Sequence, residues 1–225
     1  MVINKLFKYF YQIRPIKRRY SSFWSVDEVL NFLKTWYPFG SLSLKQLTLK
    51  TIALIALSSS DRGQTLHLAS ISNMKVLENE IQFIITDRLK GTRKVQRPKI
   101  IRCVSCPTEE LNVFAHVKEY LRRTNNFRNG ENKFFLSWST RNSVTKTTLA
   151  RWLKTVLSLS GINTDIFKAH SYRGAGLTKA YEKGANIAQV MAQGDWRNAK
   201  TFLQFYYAPT QSNAHEESIP NMILE

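Results

Sequence analysis

The stretch from Ser43 to Leu57 constrains the fold more than any other part of the chain. Leu44, Leu47, Ile52, Leu54, Ile55 and Leu57 fall almost all round a helical projection, with Ser43 placed as an N-cap and Ser58 to Asp61 as the stop. A helix that is apolar on every side must be covered on every side, so this element predicts a helical domain built around it. The amphipathic spacing of Val26, Val29, Leu30 and Leu33 predicts a helix over Val26–Trp36, ended by Pro38 and Gly40. A short helix is expected over Arg62–Leu68, capped by Ser60 or Asp61. Longer ones are expected over Glu109–Arg123, Thr145–Leu159 and Ile166–Lys183, and short ones over Ile187–Gln193 and Ala199–Tyr206, the last capped by Asn198. Strand character is confined to Ala69–Asn73, to the alternation of Ile81, Phe83 and Ile85 with Gln82 and Thr86, and to Lys99–Val104. The expected class is mainly α with a small antiparallel β-sheet (α+β), and the basic segment between its last two strands is a long hairpin loop.

Charge narrows the partners. Thirty-three Lys and Arg against 16 Asp and Glu give +17 over 225 residues, while 43% hydrophobic residues are enough for a real core. Such a balance points to a polyanion. Arg88, Lys90, Arg93, Lys94, Arg97, Lys99 and Arg102 follow one another without an acid before Glu109, an electrostatic footprint for phosphates; a solvated, charge-rich hairpin is the plainer reading of the same run. Arg141, Lys146 and Arg151 extend the positive charge to later elements, which favours nucleic acid, with Arg88, Arg93, Lys94, Arg97, Arg141, Lys146 and Arg151 as the DNA-binding candidates. A membrane partner is not expected: in the first half of the chain the longest charge-free apolar stretch, Thr51 to Ser60, is closed by Lys50 and Asp61, far short of the roughly 20 residues a span needs. Cys103 and Cys106 make no disulfide framework, and with His116 they fall short of four zinc ligands, so an intracellular protein without metal is expected. Residues 1–25 read as a basic N-terminal segment, for which a mitochondrial presequence is the competing interpretation.

Two groups of residues carry candidate chemistry. His170 and Arg173 fall on one largely apolar face of the helix expected from Ile166, and an inward arginine needs an anion: a phosphate, or an Asp or Glu of the chain. Gly174 and Gly176 keep that helix surface low, which suits either close helix packing or close approach of DNA. Downstream, Gly194-Asp195-Trp196 closes one helix and Tyr206-Tyr207 ends the next. A tyrosine hydroxyl attacks phosphorus only where positive charge favours its deprotonation, and Arg173, Arg62 and Lys90 are candidates to supply it; aromatic core filling is the alternative role for these rings.

In this order the pieces resemble the tyrosine recombinase (phage integrase) family, whose pattern is Arg, Lys, His-x-x-Arg, His or Trp, Tyr. The matching positions are Arg62 in SSSDRGQTLHL, Lys90 in TDRLKGTR, His170 and Arg173 in KAHSYRGAG, Trp196 in QGDWRN and Tyr206 in TFLQFYYAP. RGQTLHL, ARWLKTVL with FKAHS, and TFLQFYY are similar to recombinases of eukaryotic mobile elements such as cryptons and DIRS-like retrotransposons, which implies a nuclear protein. The resemblance implies a recombinase catalytic domain over 26–209. In it Tyr206 cleaves one DNA strand to leave a 3′-phosphotyrosine and a free 5′-hydroxyl, and a partner strand's 5′-hydroxyl then attacks. No metal or nucleotide cofactor is implied. Arg62 and Arg173 would grip non-bridging oxygens, Lys90 would protonate the leaving oxygen, His170 would assist proton removal from Tyr206 or bond a phosphoryl oxygen, and Trp196 would buttress. Residues 210–225 are expected to dock on a neighbouring protomer in a DNA-bound tetramer, a tail folded onto its own domain or left disordered being the alternative.

The chain departs from the pattern in three places. Thr65 stands where the family commonly has Glu, so the support of Arg62 must come from elsewhere; Tyr206 lies ten residues after Trp196, where nine is usual in bacterial members, which leaves Tyr207 as the fallback nucleophile; and only about 25 residues precede Val26, where such enzymes carry a helical core-binding domain of about 100 residues. A truncated, decayed or domesticated copy is one implication. Two other readings stay open: a binding-only protein in which the helices flanking Gly184 form a helix-turn-helix, although its second helix carries Gln189 and Gln193 but no base-reading Arg, and a type IB topoisomerase-like enzyme that relaxes supercoils without exchanging partners.

Overall fold

The fold is that of a computed structural model, which describes Ile13 and residues 18–87, 98–196 and 198–207. Helix α1 (Val26–Lys34) is followed by the central α2 (Leu44–Ser59), the short α3 (Gly63–Leu68), strands β1 (Met74–Val76), β2 (Glu80–Ile85) and β3 (Lys99–Val104), then α4 (Val113–Thr124), α5 (Lys146–Leu159), α6 (Ser171–Glu182), α7 (Ile187–Gln193) and α8 (Ala199–Phe205). Helix α2 is the hub that its sequence calls for. Ser43 and Gln46 close a reciprocal capping box at its start, and its buried residues run without a break from Leu47 to Ala56. It packs against α4, α5, α6 and β3, so every side of it meets protein.

The sheet is antiparallel in the order β1-β2-β3, and its last pair places Ile85 opposite Lys99. Period-two alternation decides its inner face: Ile81, Phe83 and Ile85 are buried, with Ile101 and Cys103 beside them. The mainly α class with a small antiparallel sheet is therefore as expected, and several boundaries differ. Ala69–Asn73 is no strand; Ser70 makes a single bridge to Lys133, and the first strand begins at Met74. Glu109–Leu111 is a separate 3₁₀ turn before α4. The core also takes up Phe23 and Trp24, each 2% exposed, ahead of Val26.

Phe23 explains the small surface of α6. A Cβ on Gly174 would fall 2.1 Å from the Phe23 ring, and one on Gly176 would lie 2.9 Å from Ser60 Oγ and 3.0 Å from the Leu57 carbonyl. These glycines serve packing within the chain rather than the approach of DNA. Gly174→Ala is expected to lower stability by about 1–3 kcal/mol, the usual range for overpacking, measured by chemical denaturation.

A second buried group sets another expectation. Lys50 on α2 is fully buried, its Nζ donating to the Trp36 carbonyl at 2.6 Å, and desolvation pulls its pKa down to about 8. The unfolded chain holds that proton more tightly, so the ammonium costs stability below pH 8, and the cost is relieved as pH rises through 8 toward 10.5. Lys50→Met is expected to raise stability by up to about 3 kcal/mol at pH 7, with the gain shrinking by pH 10. Denaturant midpoints at the two pH values check this, and a gain that is the same at both would refute it.

The final helices form a cluster of their own. Leu177 on α6, Val190 on α7 and Phe202 on α8 are buried together, with Tyr181, Ile187, Trp196, Tyr206 and Tyr207 packed around them. The segment that carries the candidate tyrosines thus rides on a small apolar patch beside the main core.

Candidate active site

A cleft of about 700 Å³ opens where the start of α3, the N-terminal half of α5, the first turn of α6 and the end of α8 converge. Its lining is strongly cationic. Arg19, Arg62, Lys146, Arg151, Lys154, Lys168 and Arg173 face it, against Asp61 as the single acid among the described lining residues. Gln64, Thr147, His170, Tyr172 and Tyr206 complete its polar surface.

Arg62 reaches the cleft because it is the N-cap residue of α3, in extended backbone conformation, with its side chain taking no part in capping. The capping expected from Ser60 or Asp61 does not occur: Ser60 instead ends α2 in a left-handed conformation at φ 50°. Arg62 is exposed, whereas Arg173 on α6 is 5% exposed. Among the described residues Arg173 meets no carboxylate in a direct ion pair. Nη1 donates to the Ser60 carbonyl at 3.2 Å and Nη2 to the Gly194 carbonyl, while Nε is buried without a hydrogen-bond partner. A guanidinium has five N–H groups, so three remain for an anion. Burial, and then the neighbouring charge of Arg62, lower the Arg173 pKa below its ordinary value.

The aromatic residues close over this guanidinium. Its central carbon lies 4.7 Å from the Trp196 ring centroid and 5.8 Å from that of Tyr206, and those two rings are 4.5 Å apart. Tyr206 is the C-cap residue of α8, its amide held by the Phe202 carbonyl at 2.8 Å and its carbonyl accepting from Thr178 Oγ1 at 3.2 Å. Tyr207 turns elsewhere: its ring packs edge-on against Tyr181 at 5.2 Å, and it does not line the cleft.

His170 departs from the expected geometry. Helix α6 begins at Ser171, and His170 is its N-cap residue rather than a member of a helix from Ile166. It still faces the cleft. Its Nε2 shares a 2.7 Å hydrogen bond with the Tyr20 hydroxyl, and the two rings stack at 5.3 Å. Although much of its surface remains in water, desolvation of the ring, aided by the Arg19 charge, lowers its pKa to about 4, so the imidazole is neutral at pH 7.

The structure therefore brings Arg62, His170, Arg173 and Tyr206 to one cleft, from positions spread over the chain, with Trp196 packed against Arg173 and Tyr206 but not in the lining. Lys90, Arg88, Arg93, Lys94 and Arg97 lie outside the described residues. Lys146 and Arg151 line the cleft; Arg141 does not, sitting instead in a turn with its guanidinium 5.1 Å from the Phe127 ring. The helix-turn-helix reading loses both of its glutamines, since Gln189 closes the capping box of α7 and Gln193 donates to the Ser59 carbonyl. Cys103 is buried, with its thiol pushed up to about 12 by desolvation, and His116 is hydrogen-bonded through Nδ1 to the Asn112 carbonyl. Among the described residues no three His, Cys, Asp or Glu side chains group as metal ligands, and no helix is long and apolar enough to cross a membrane.

The profile of the phage integrase family matches residues 25–213. The chain belongs to that family. No curated protein matches its sequence. Solved structures share its fold at low identity. The XerH site-specific recombinase bound to its difH substrate in a pre-cleavage complex has a TM-score of 0.62 at 13% identity, over 90% of this chain and 55% of that one. The integrase of the Tn1549 transposon in complex with transposon right end DNA scores 0.56 at 15% identity, over 92% of this chain and 68% of that one. A lambda integrase tetramer bound to a Holliday junction scores 0.50 at 16% identity, over 90% of this chain and 51% of that one. The chain thus spans about half the length of the XerH and lambda integrase chains.

The sequence pattern named Arg62, His170, Arg173, Trp196 and Tyr206, which the structure places near one another, and gave no such role to four residues around them. Tyr20 orients His170, and Lys99 bridges Asp61 and Asp195. Asp61, read from the sequence as a cap, is an acid beside Arg62 in a chain poor in acids.

Proposed function

We propose that this chain is a site-specific DNA recombinase or integrase that cleaves and rejoins DNA strands through a 3′-phosphotyrosine intermediate on Tyr206. The observation that carries this reading is a buried arginine with unspent N–H groups, Arg173, stacked beside the Tyr206 ring in a cationic cleft that Arg62 also lines. A phosphodiester satisfies those donors. In the reaction the Tyr206 oxygen bonds to phosphorus and loses its proton, the bond from phosphorus to the 5′-oxygen breaks, and that oxygen takes up a proton to leave as a hydroxyl. Arg62 and Arg173 stabilise the added negative charge on the non-bridging oxygens through forked contacts. His170, neutral at pH 7, accepts the proton from Tyr206 or bonds a phosphoryl oxygen; Lys90 supplies the proton to the 5′-oxygen. A partner strand's 5′-hydroxyl reverses the step. The phosphotyrosine retains the energy of the cleaved bond, so this chemistry draws on no nucleotide cofactor.

Double-stranded DNA is the partner, and Lys146, Arg151 and Lys154 on one helix give the cleft a row of cations for its backbone. The ten-residue interval from Trp196 to Tyr206 supports the crypton or DIRS-like type of eukaryotic mobile element, and with it a nuclear location. Residues 210–225 dock on a neighbouring protomer within a DNA-bound tetramer. A groove of about 440 Å³ that includes Leu30, Leu54, Leu57, Val113 and Leu177, with Lys183 among its polar residues, suits the apolar and acidic residues of that tail. The deciding assay is incubation with a nicked suicide duplex followed by denaturing electrophoresis, where a covalent protein–DNA band is expected and its absence would refute the proposal.

A further inference from the structure

Behind the cleft, two loops from distant parts of the sequence run side by side. One ends α2 and leads to Arg62; the other ends α7 and leads to Trp196. Each turns on a non-glycine residue in left-handed conformation, Ser60 at φ 50° and Asp195 at φ 49°. Arg173 joins them by donating to the carbonyls of Ser60 and Gly194, and Gln193 adds a bond to the Ser59 carbonyl.

A third tie comes from a residue that does not line the cleft. Lys99, the first residue of β3, places its Nζ 3.3 Å from Asp61 Oδ1 and 3.2 Å from Asp195 Oδ2, and 3.3 Å from the carbonyl of Gln193. The Asp61 side chain is 2% exposed and that of Lys99 is 15% exposed, so this pair works largely out of water. Without the lysine, two carboxylates would face each other across the join. Burial already raises the Asp61 pKa to about 6, with Lys99 drawing it back and Asp195 pushing it further up.

The position of Lys99 adds to its reach. It pairs with Ile85 at the root of the hairpin whose loop holds Lys90. One ammonium therefore ties together the loop that presents Arg62, the base of the basic hairpin and the segment that runs through Trp196 to Tyr206. We infer that Lys99 is a positioning residue: with Asp61 and Asp195 it forms a strut that sets the Arg62, hairpin and Tyr206 segments in register for strand cleavage. The inference rests on the recombinase reading for its activity arm and on the geometry alone for its structural arm.

The test uses the full chain and the substitutions Lys99→Met, Lys99→Arg and Asp195→Asn. Cleavage is followed in single turnover on a saturating suicide duplex, and on the same duplex with a 5′-bridging sulfur, whose leaving group needs no proton donor. Amide hydrogen exchange over residues 193–207 is measured in parallel. Lys99→Met is expected to slow cleavage by about 10²-fold on both duplexes, because small misplacements of reacting groups carry losses of that size, while Lys99→Arg recovers most of the rate. Asp195→Asn keeps the buried Lys99–Asp61 pair, so it should fold if Lys99→Met does not, and should slow both duplexes as well. Exchange over 193–207 should rise in Lys99→Met and Asp195→Asn. Rescue of Lys99→Met by the sulfur substrate would make Lys99 the proton donor and overturn the strut, as would unchanged rates with unchanged exchange. If the unsubstituted chain cleaves neither duplex, the recombinase reading fails, and exchange over 193–207 alone decides whether the strut exists.

Discussion

Tyr206→Phe is expected to abolish the covalent adduct with a suicide duplex, by at least about 10³-fold, while Tyr207→Phe retains it. The two hydroxyls belong to adjacent residues, so the contrast tests placement rather than composition. Tyr206 lines the cleft with its ring 5.8 Å from the Arg173 guanidinium carbon, whereas Tyr207 packs on Tyr181. Removing the Tyr206 oxygen leaves the ring in place against Trp196, 4.5 Å away, so the thermal midpoint should scarcely move and duplex affinity should persist. Loss of adduct in Tyr207→Phe with retention in Tyr206→Phe would move the nucleophile by one residue. Retention in both would remove the phosphotyrosine mechanism.

How far the sequence led depends on whether the deciding contact was local. The central helix was legible because a residue's surroundings on a helix are fixed by its neighbours three and four positions away, and Leu47 to Ala56 needed nothing else. The inner face of the sheet was legible from the alternation of Ile81, Phe83 and Ile85 for the same reason. His170 was not. Its spacing to Arg173 suits one helical face, but the chain enters α6 only at Ser171, where Trp24 Nε1 donates to Ser171 Oγ at 2.8 Å and Tyr20 contacts both Lys168 and His170. These partners lie about 150 positions away in sequence, beyond any periodicity. The misplaced first strand has a similar cause: Ala69–Asn73 has strand-like residues, yet Ile71 and Phe134 exchange backbone bonds with Asn132 and Ala69 in a connecting bridge, and β2 takes Met74–Val76 as its partner. For the site, residue types and order pointed to Arg62, His170, Arg173 and Tyr206, which line the cleft, but not to Arg19 or Lys168, which line it as well. Lys99 and Asp195, which do not line the cleft, and Asp61, which does, are common residue types whose joint role appears only when three segments meet.

Arg173→Lys should be nearly as damaging as loss of the nucleophile, even though it preserves charge. A lysine ammonium is a compact point charge with three donors on a flexible stem, whereas the Arg173 guanidinium spends one N–H on Ser60 and one on Gly194 and keeps three more in a rigid planar fork. No ammonium position serves both carbonyls and a phosphoryl oxygen at once. The expected result is a loss of about 10²–10³-fold in single-turnover cleavage, the range for removing one oriented donor to a developing oxyanion, together with a drop in stability of about 1–3 kcal/mol from a buried carbonyl left unpaired. Binding of duplex should change little, because the substitution keeps the charge and Arg19, Arg62, Lys146, Arg151, Lys154 and Lys168 still line the cleft. Affinity measured by titration at fixed salt, set beside the cleavage rate, separates these effects. If cleavage in Arg173→Lys stays within about tenfold of the unsubstituted chain, positive charge alone suffices there and the directed guanidinium has no part in the transition state. If affinity falls as far as the rate, Arg173 acts by holding the ground-state phosphate; a rate that falls alone shows that its remaining donors engage the charge that appears only as the strand breaks.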